Sequence, residues 1–85
     1  MPEISRFYGI VIRMYWREHN PPHLHAEYSG HEQIDMRNRT IIGGWLPTRA
    51  LNLVTEWASL HEKELLALWE SARGLRPLHR IDRLP

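Results

Sequence analysis

The apolar residues of this 85-residue chain change their spacing once, at Pro47, and that switch constrains the fold more than any other feature. Before it they alternate, as in strands buried on one face; after it they recur at helical spacing. Strands followed by helices, with no strand–helix alternation, describe an α+β domain rather than a parallel α/β sheet. The expected architecture is an antiparallel four-stranded sheet (β-β-β-β) followed by one or two C-terminal α-helices. It forms a single domain over residues 1–74, with residues 75–85 as a basic extended tail.

The first strand runs through Gly9-Ile10-Val11-Ile12-Arg13-Met14-Tyr15-Trp16, with Ile10, Ile12, Met14 and Trp16 on one face and Val11, Arg13, Tyr15 and Arg17 on the other. His19-Asn20-Pro21-Pro22 ends it, because proline cannot donate to a ladder. His23 to Tyr28 alternates strictly: Leu24, Ala26 and Tyr28 against His23, His25 and Glu27. In Gln33 to Arg37, Ile34 and Met36 oppose Gln33, Asp35 and Arg37. Parity selects the register of this hairpin. A two-residue loop would set polar against apolar on both faces. A three-residue loop, Ser29 to His31, pairs Leu24 with Met36, Ala26 with Ile34, His25 with Asp35, Glu27 with Gln33 and His23 with Arg37. Thr40 to Leu46 is the fourth strand.

A helix begins at Pro47 or Thr48, with proline suited to the first turn and threonine to a cap. Ala50, Leu53, Val54, Trp57, Ala58 and Leu60 form its apolar face; Leu65, Leu66, Leu68, Trp69 and Ala72 form that of a second run. A capping box from Ser59 to Glu62 would separate the two, and one continuous helix is the alternative. Gly74 is the expected stop. Trp57 and Trp69 read as core, and Trp16 and Trp45 as closing the core from the sheet.

Eighty-five residues bury a modest fraction of their surface, so a partner subunit, a metal or a well-packed core must supply the stability. With no cysteine, disulfides and thiolate zinc sites are excluded. No apolar run approaches the roughly 18 residues of a membrane span, and Met1 to Arg6 carries no secretory pattern. The expectation is a cytoplasmic protein. The net charge of +1 is unevenly spread, with four arginines against Asp82 in the last thirteen residues. That basic tail is either an anion or nucleic-acid contact or a solvated, frayed terminus.

The densest chemistry lies in His19-Asn20-Pro21-Pro22-His23-Leu24-His25, which contains a His-x-His motif. His23 and His25 leave the same face of their strand. Three readings stay open. In the first, His23 and His25 divide acid and base roles on an RNA phosphodiester, Asp35 orients His25, and Arg13, Arg17 or Arg37 holds the phosphate; Tyr15 is the best candidate for stacking on a base. No cofactor is needed. In the second, His19, His23 and His25 bind a divalent metal such as zinc. In the third, the histidines are structural, paired with carboxylates across strands. His31 and His61 read as structural or solvent-facing, and His79, in the tail, could join its basic cluster. No phosphate loop, dinucleotide fingerprint or nucleophile elbow is present.

Three blocks together resemble a family of small bacterial proteins catalogued as a domain of unknown function, number 4160. They are Ile4-Ser5-Arg6-Phe7-Tyr8-Gly9, the run His19 to Ala26, and Leu46-Pro47 leading into Glu56-Trp57-Ala58 and Leu65-Leu66 with Trp69. The resemblance spans roughly residues 3–78, and the Pro-Pro-His-x-His block is its most specific part. It implies a bacterial cytoplasmic protein and, through the gene neighbourhoods of relatives, membership of a toxin–antitoxin pair. It carries no established reaction, and His23 and His25 come over as motif positions alone. Two classes of function follow: a toxin-like ribonuclease, or a non-catalytic protein- or nucleic-acid-binding module acting as antitoxin or regulator. Either implies a cognate small protein or RNA as partner, and exposed sheet edges favour a partner or a homodimer.

Overall fold

The computed structural model describes residues 3–16, 22–28, 33–37, 40–43 and 45–85, with the backbone alone for 33–37 and 40–43. Its elements are β1 (Glu3–Phe7), β2 (Ile10–Arg13), β3 (His23–Tyr28), β4 (Gln33–Arg37), β5 (Thr40–Gly43), α1 (Thr48–Leu60) and α2 (Glu62–Arg73). The strands form one antiparallel meander in the order β1-β2-β3-β4-β5, and the two helices follow. The class is α+β.

The sheet has five strands rather than the expected four. The additional strand is β1, and two local features hide it from a period-two reading. A register shift between Glu3 and Ser5 puts Ile4 and Ser5 both in the interior, which breaks the alternation. The turn to β2 is Tyr8-Gly9, with both φ angles positive at 49° and 80°. Two left-handed residues in a two-residue loop match the right-handed twist of a hairpin, but Asn-Gly rather than Tyr-Gly is the usual signal. Ser5 Oγ is buried without a hydrogen-bond partner among the described residues.

The hairpin of β3 and β4 has the register that parity selects: His23 opposite Arg37, Leu24 opposite Met36, His25 opposite Asp35, Ala26 opposite Ile34 and Glu27 opposite Gln33. The connecting loop lies outside the described residues. On β2, Ile10 and Ile12 are fully buried, and Met14 continues that face beyond the strand's end.

Both helices bury their apolar faces: Ala50, Val54, Trp57 and Ala58 on α1, and Leu68, Trp69 and Ala72 on α2. Trp57 packs against Phe7 with ring centroids 5.5 Å apart. Leu60 and Leu66, assigned to those faces by spacing, are exposed. Pro47, not Thr48, occupies the N-cap position of α1, and no side chain caps the helix; the Pro47 carbonyl accepts from the Leu51 amide at 2.9 Å. The helices are separate, broken at His61. Ser59 does not begin α2: it lies inside α1, where its hydroxyl donates to the Thr55 carbonyl at 2.9 Å, and His61 occupies the N-cap position of α2.

Two tryptophans depart from the core assignment. Trp16 and Trp45 are 43% and 64% exposed, whereas Trp57 and Trp69 are buried. Both exposed rings lie beyond the strands that were to carry them, since β2 ends at Arg13 and β5 at Gly43.

The C-terminal segment has no helix or strand, yet it is docked. Ile81 and Leu84 join the core. The Ile81 amide donates to the Ile4 carbonyl at 2.7 Å, the Trp57 indole to the Asp82 carbonyl at 2.8 Å, and the Tyr8 hydroxyl to the Pro85 carbonyl at 2.7 Å. The segment therefore lies along the outer edge of β1, and a frayed terminus does not describe it.

A histidine and aromatic cluster as the candidate functional site

Strand β3 carries the site. Leu24 and Ala26 are buried in the core, so alternation turns His23, His25 and Glu27 to the opposite side, where each is half-buried. Antiparallel pairing with β2 sets Arg13 beside His25 and Val11 beside Glu27. On that side Arg13 Nε donates to Glu27 Oε2 at 2.9 Å, with both side chains about a quarter exposed (25% and 29%).

Four rings run in sequence through the site. The Tyr15 ring meets His25 edge-on, with centroids 4.4 Å apart and planes at 89°. His25 and His23 are 5.4 Å apart at 63°. His23 lies 5.1 Å from Trp69 of α2. Packed rings at these separations hold one another's orientation, and edge-to-face contacts are favourable for quadrupolar rings. The Nδ1 atom of His25 is shut off from solvent. Any proton exchanged between this residue and a bound molecule would therefore pass through Nε2.

The structure thus brings together His23, His25, Arg13 and Tyr15 of the expected set. Asp35 and Arg37 stand opposite His25 and His23 in backbone register. Arg17 and His19 lie outside the described residues. Of the three metal ligands considered, His23 and His25 are adjacent. Among the described residues no three histidine, aspartate or glutamate side chains gather in a way that could hold a metal ion.

Trp69 is the member that sequence reasoning missed. Its helical spacing marks it as core, and it is core at 2% exposure. Periodicity says which face of α2 is apolar, not that one ring on that face reaches the end of β3. A second imidazole cluster sits elsewhere: Glu64 is 3.4 Å from His61 Nδ1 and 3.1 Å from His79 Nε2. It ties the C-terminal segment to α2.

The site is two imidazoles held side by side, with a phenol at one end and an indole at the other. Such a pair can divide acid and base roles, or coordinate a cation if further ligands join it. No helix of the described residues is long and apolar enough to cross a membrane. No curated protein and no solved structure matches the chain. Residues 9–70, well over half of the sequence and inclusive of the whole ring cluster, match the family model described as Domain of unknown function (DUF4160), and the chain belongs to that family.

Proposed function

We propose that this is a cytoplasmic bacterial protein of a toxin–antitoxin pair whose histidine pair acts as acid and base on RNA phosphodiesters. The observation that carries the reading is the placement of His23 and His25 side by side, 5.4 Å apart and half-buried, between Tyr15 and Trp69. In the reaction, Nε2 of His25 takes the proton of a ribose 2′-hydroxyl, and that oxygen attacks the neighbouring phosphorus. The bond from phosphorus to the 5′-oxygen breaks as His23 donates a proton to the leaving oxygen. The products are a 2′,3′-cyclic phosphate and a 5′-hydroxyl, with the protons exchanged between the imidazoles in balance. Asp35, opposite His25 in register, is the residue assigned to orient it. No cofactor enters the step.

A second reading, a binding module without catalysis, has one observation in its favour. Arg13, a candidate for holding the phosphate, is engaged by Glu27 at 2.9 Å. A neutralised arginine attracts phosphate weakly, which leaves that role to Arg37 or Arg17.

The test is induced expression in a bacterial host of the wild type and of the His23→Ala/His25→Ala variant at matched soluble levels. The catalytic reading expects growth arrest and RNA fragments ending in cyclic phosphate with the wild type alone. Equal growth of both cultures with intact RNA sinks it and leaves the binding module.

A further inference from the structure

The rings of the candidate site continue into a corner of the molecule with a different chemistry. Next to Tyr15 in sequence is Trp16, 43% exposed although tryptophan is among the most buried residue types on average. Its ring is not loose: the indole N–H donates to the Arg76 carbonyl at 3.0 Å. The backbone that accepts this bond is fixed in turn by the end of α2. The Arg76 amide donates to the Ser71 carbonyl at 2.8 Å and the Leu75 amide to that of Ala72 at 3.2 Å, the paired bonds of a Schellman cap. An exposed tryptophan face is thereby locked beside an exposed arginine.

Two exposed arginines belong to this end of α2. Arg76 has no ion-pair partner among the described residues, and its guanidinium lies over Gly74. Arg73 is one helical turn beyond Trp69, whose ring touches His23. Arg73's contact with Glu70 is long at 3.7 Å and exposed, so it leaves most of the charge available. The aromatic face is thus one residue along the chain from Tyr15, and Arg73 one helical turn from Trp69, the two rings that flank the histidine pair.

An aromatic face beside arginines is the chemistry that receives single-stranded nucleic acid. Any base can stack on the ring, while the guanidinium groups take the phosphates bidentately. A double-stranded helix keeps its bases stacked inside and offers none to a lone surface ring. We infer that Trp16, with Arg76 and Arg73, is the subsite that holds an unpaired nucleotide of RNA next to the phosphodiester at His23 and His25. This deepens the proposed function and rests on it for the identity of the cleaved bond, but binding can be measured without cleavage.

The probe is a short fluorescein-labelled single-stranded RNA with 2′-O-methyl groups, which cannot be cut; its affinity is read by fluorescence anisotropy across a range of salt concentrations. Trp16→Leu is expected to weaken binding about tenfold, the loss of one stacked base. Trp16→Phe keeps a ring and holds affinity within a few-fold. Arg76→Gln is expected to lower the slope of log affinity against log salt by about 0.7, one phosphate contact to a single strand. A base-paired version of the probe binds more weakly than the single strand. Arg76 is exposed, so its replacement tests the subsite even if Trp16→Leu does not fold.

Wild-type affinity retained in both Trp16→Leu and Arg76→Gln, in a protein that still cleaves RNA through its histidines, overturns the subsite and leaves the proposed function standing. Binding that falls as described, in a protein that cuts no RNA, supports the subsite and removes the catalytic reading. No binding of the probe by the wild type overturns the subsite.

Discussion

At the scale of single residues, the end of α2 is where local sequence and local conformation disagree. Gly74 is the residue that should take the left-handed position closing the helix, yet its φ is −85° and Leu75 takes that position at +59°. A left-handed leucine costs roughly 1–2 kcal/mol in backbone sterics. Leu75 is 53% exposed, so little packing is lost on shortening it. Leu75→Gly therefore removes strain, offset by roughly 0.4–1 kcal/mol of added freedom in the unfolded chain. The expected net is a gain of about 0.5–1 kcal/mol, seen as a rise of a few degrees in melting temperature. Gly74→Ala is expected to be tolerated, because a methyl group there meets nothing nearer than 3.5 Å and its φ suits any residue. If Gly74→Ala destabilises and Leu75→Gly does so too, the cap is not formed this way in solution.

At the scale of elements, β1 shows what holds an unpredicted strand in place. Its outer edge is covered by the C-terminal segment, and Glu3 is the fastening. Arg6 grips the carboxylate with both nitrogens, Nη2 at 2.7 Å and Nε at 3.2 Å, and Arg80 of the segment adds a contact at 3.0 Å. The hydrogen bonds from Arg6 are the main reason that the Glu3 carboxyl is lowered from its ordinary 4.5 to about 2, against partial burial that pushes it up and with Arg80 assisting. A depressed carboxyl contributes stability in full above its unfolded pKa and loses it as pH falls through the folded one. Both arginines are about 60% exposed (61% and 60%), so water and salt screen the pair. The contribution at neutral pH is about 1 kcal/mol. Glu3→Gln should thus be less stable than wild type by about that amount at pH 7. The gap should close between pH 4.5 and about 2. Urea titrations of both proteins at several pH values check this; a gap that is constant with pH would assign the effect to packing instead of charge.

The same elements show how far the sequence was legible. The β3–β4 register follows from parity alone, because a slip by one residue would set polar residues of Gln33 to Arg37 opposite Leu24 and Ala26 in place of Met36 and Ile34. The shared side of His23 and His25 follows for the same reason. Strand β1 was not legible, since its bulge breaks the alternation and Tyr8 stands where a hairpin usually has asparagine. Neither the Trp69–His23 contact nor the exposure of Trp16 was visible, because each depends on where an element ends against another rather than on its own period.

At the scale of the whole molecule, the C-terminal segment decides whether so small a chain has enough interior. A domain of this length buries a limited share of its surface and has few kcal/mol to spare. The segment adds Ile81 and Leu84, each 3% exposed, to the core and accepts the Trp57 indole bond on Asp82. Without it, β1 would present an open edge and Trp57 a buried N–H lacking its partner, a second penalty of roughly 1–3 kcal/mol. Its three arginines gave it the look of a solvated tail, but the aliphatic residues at positions 81 and 84 are the ones that turn inward. Ile81→Ala is expected to cost about 2–4 kcal/mol, in the range for buried isoleucine. That is a large part of the total for a domain this small. Arg83→Ala, exposed and without an ion pair among the described residues, should stay within about 0.5 kcal/mol of wild type. Urea unfolding followed by tryptophan fluorescence compares the two: the midpoint should fall for Ile81→Ala with an unchanged slope. Equal midpoints for both variants would mean that the segment is undocked in solution.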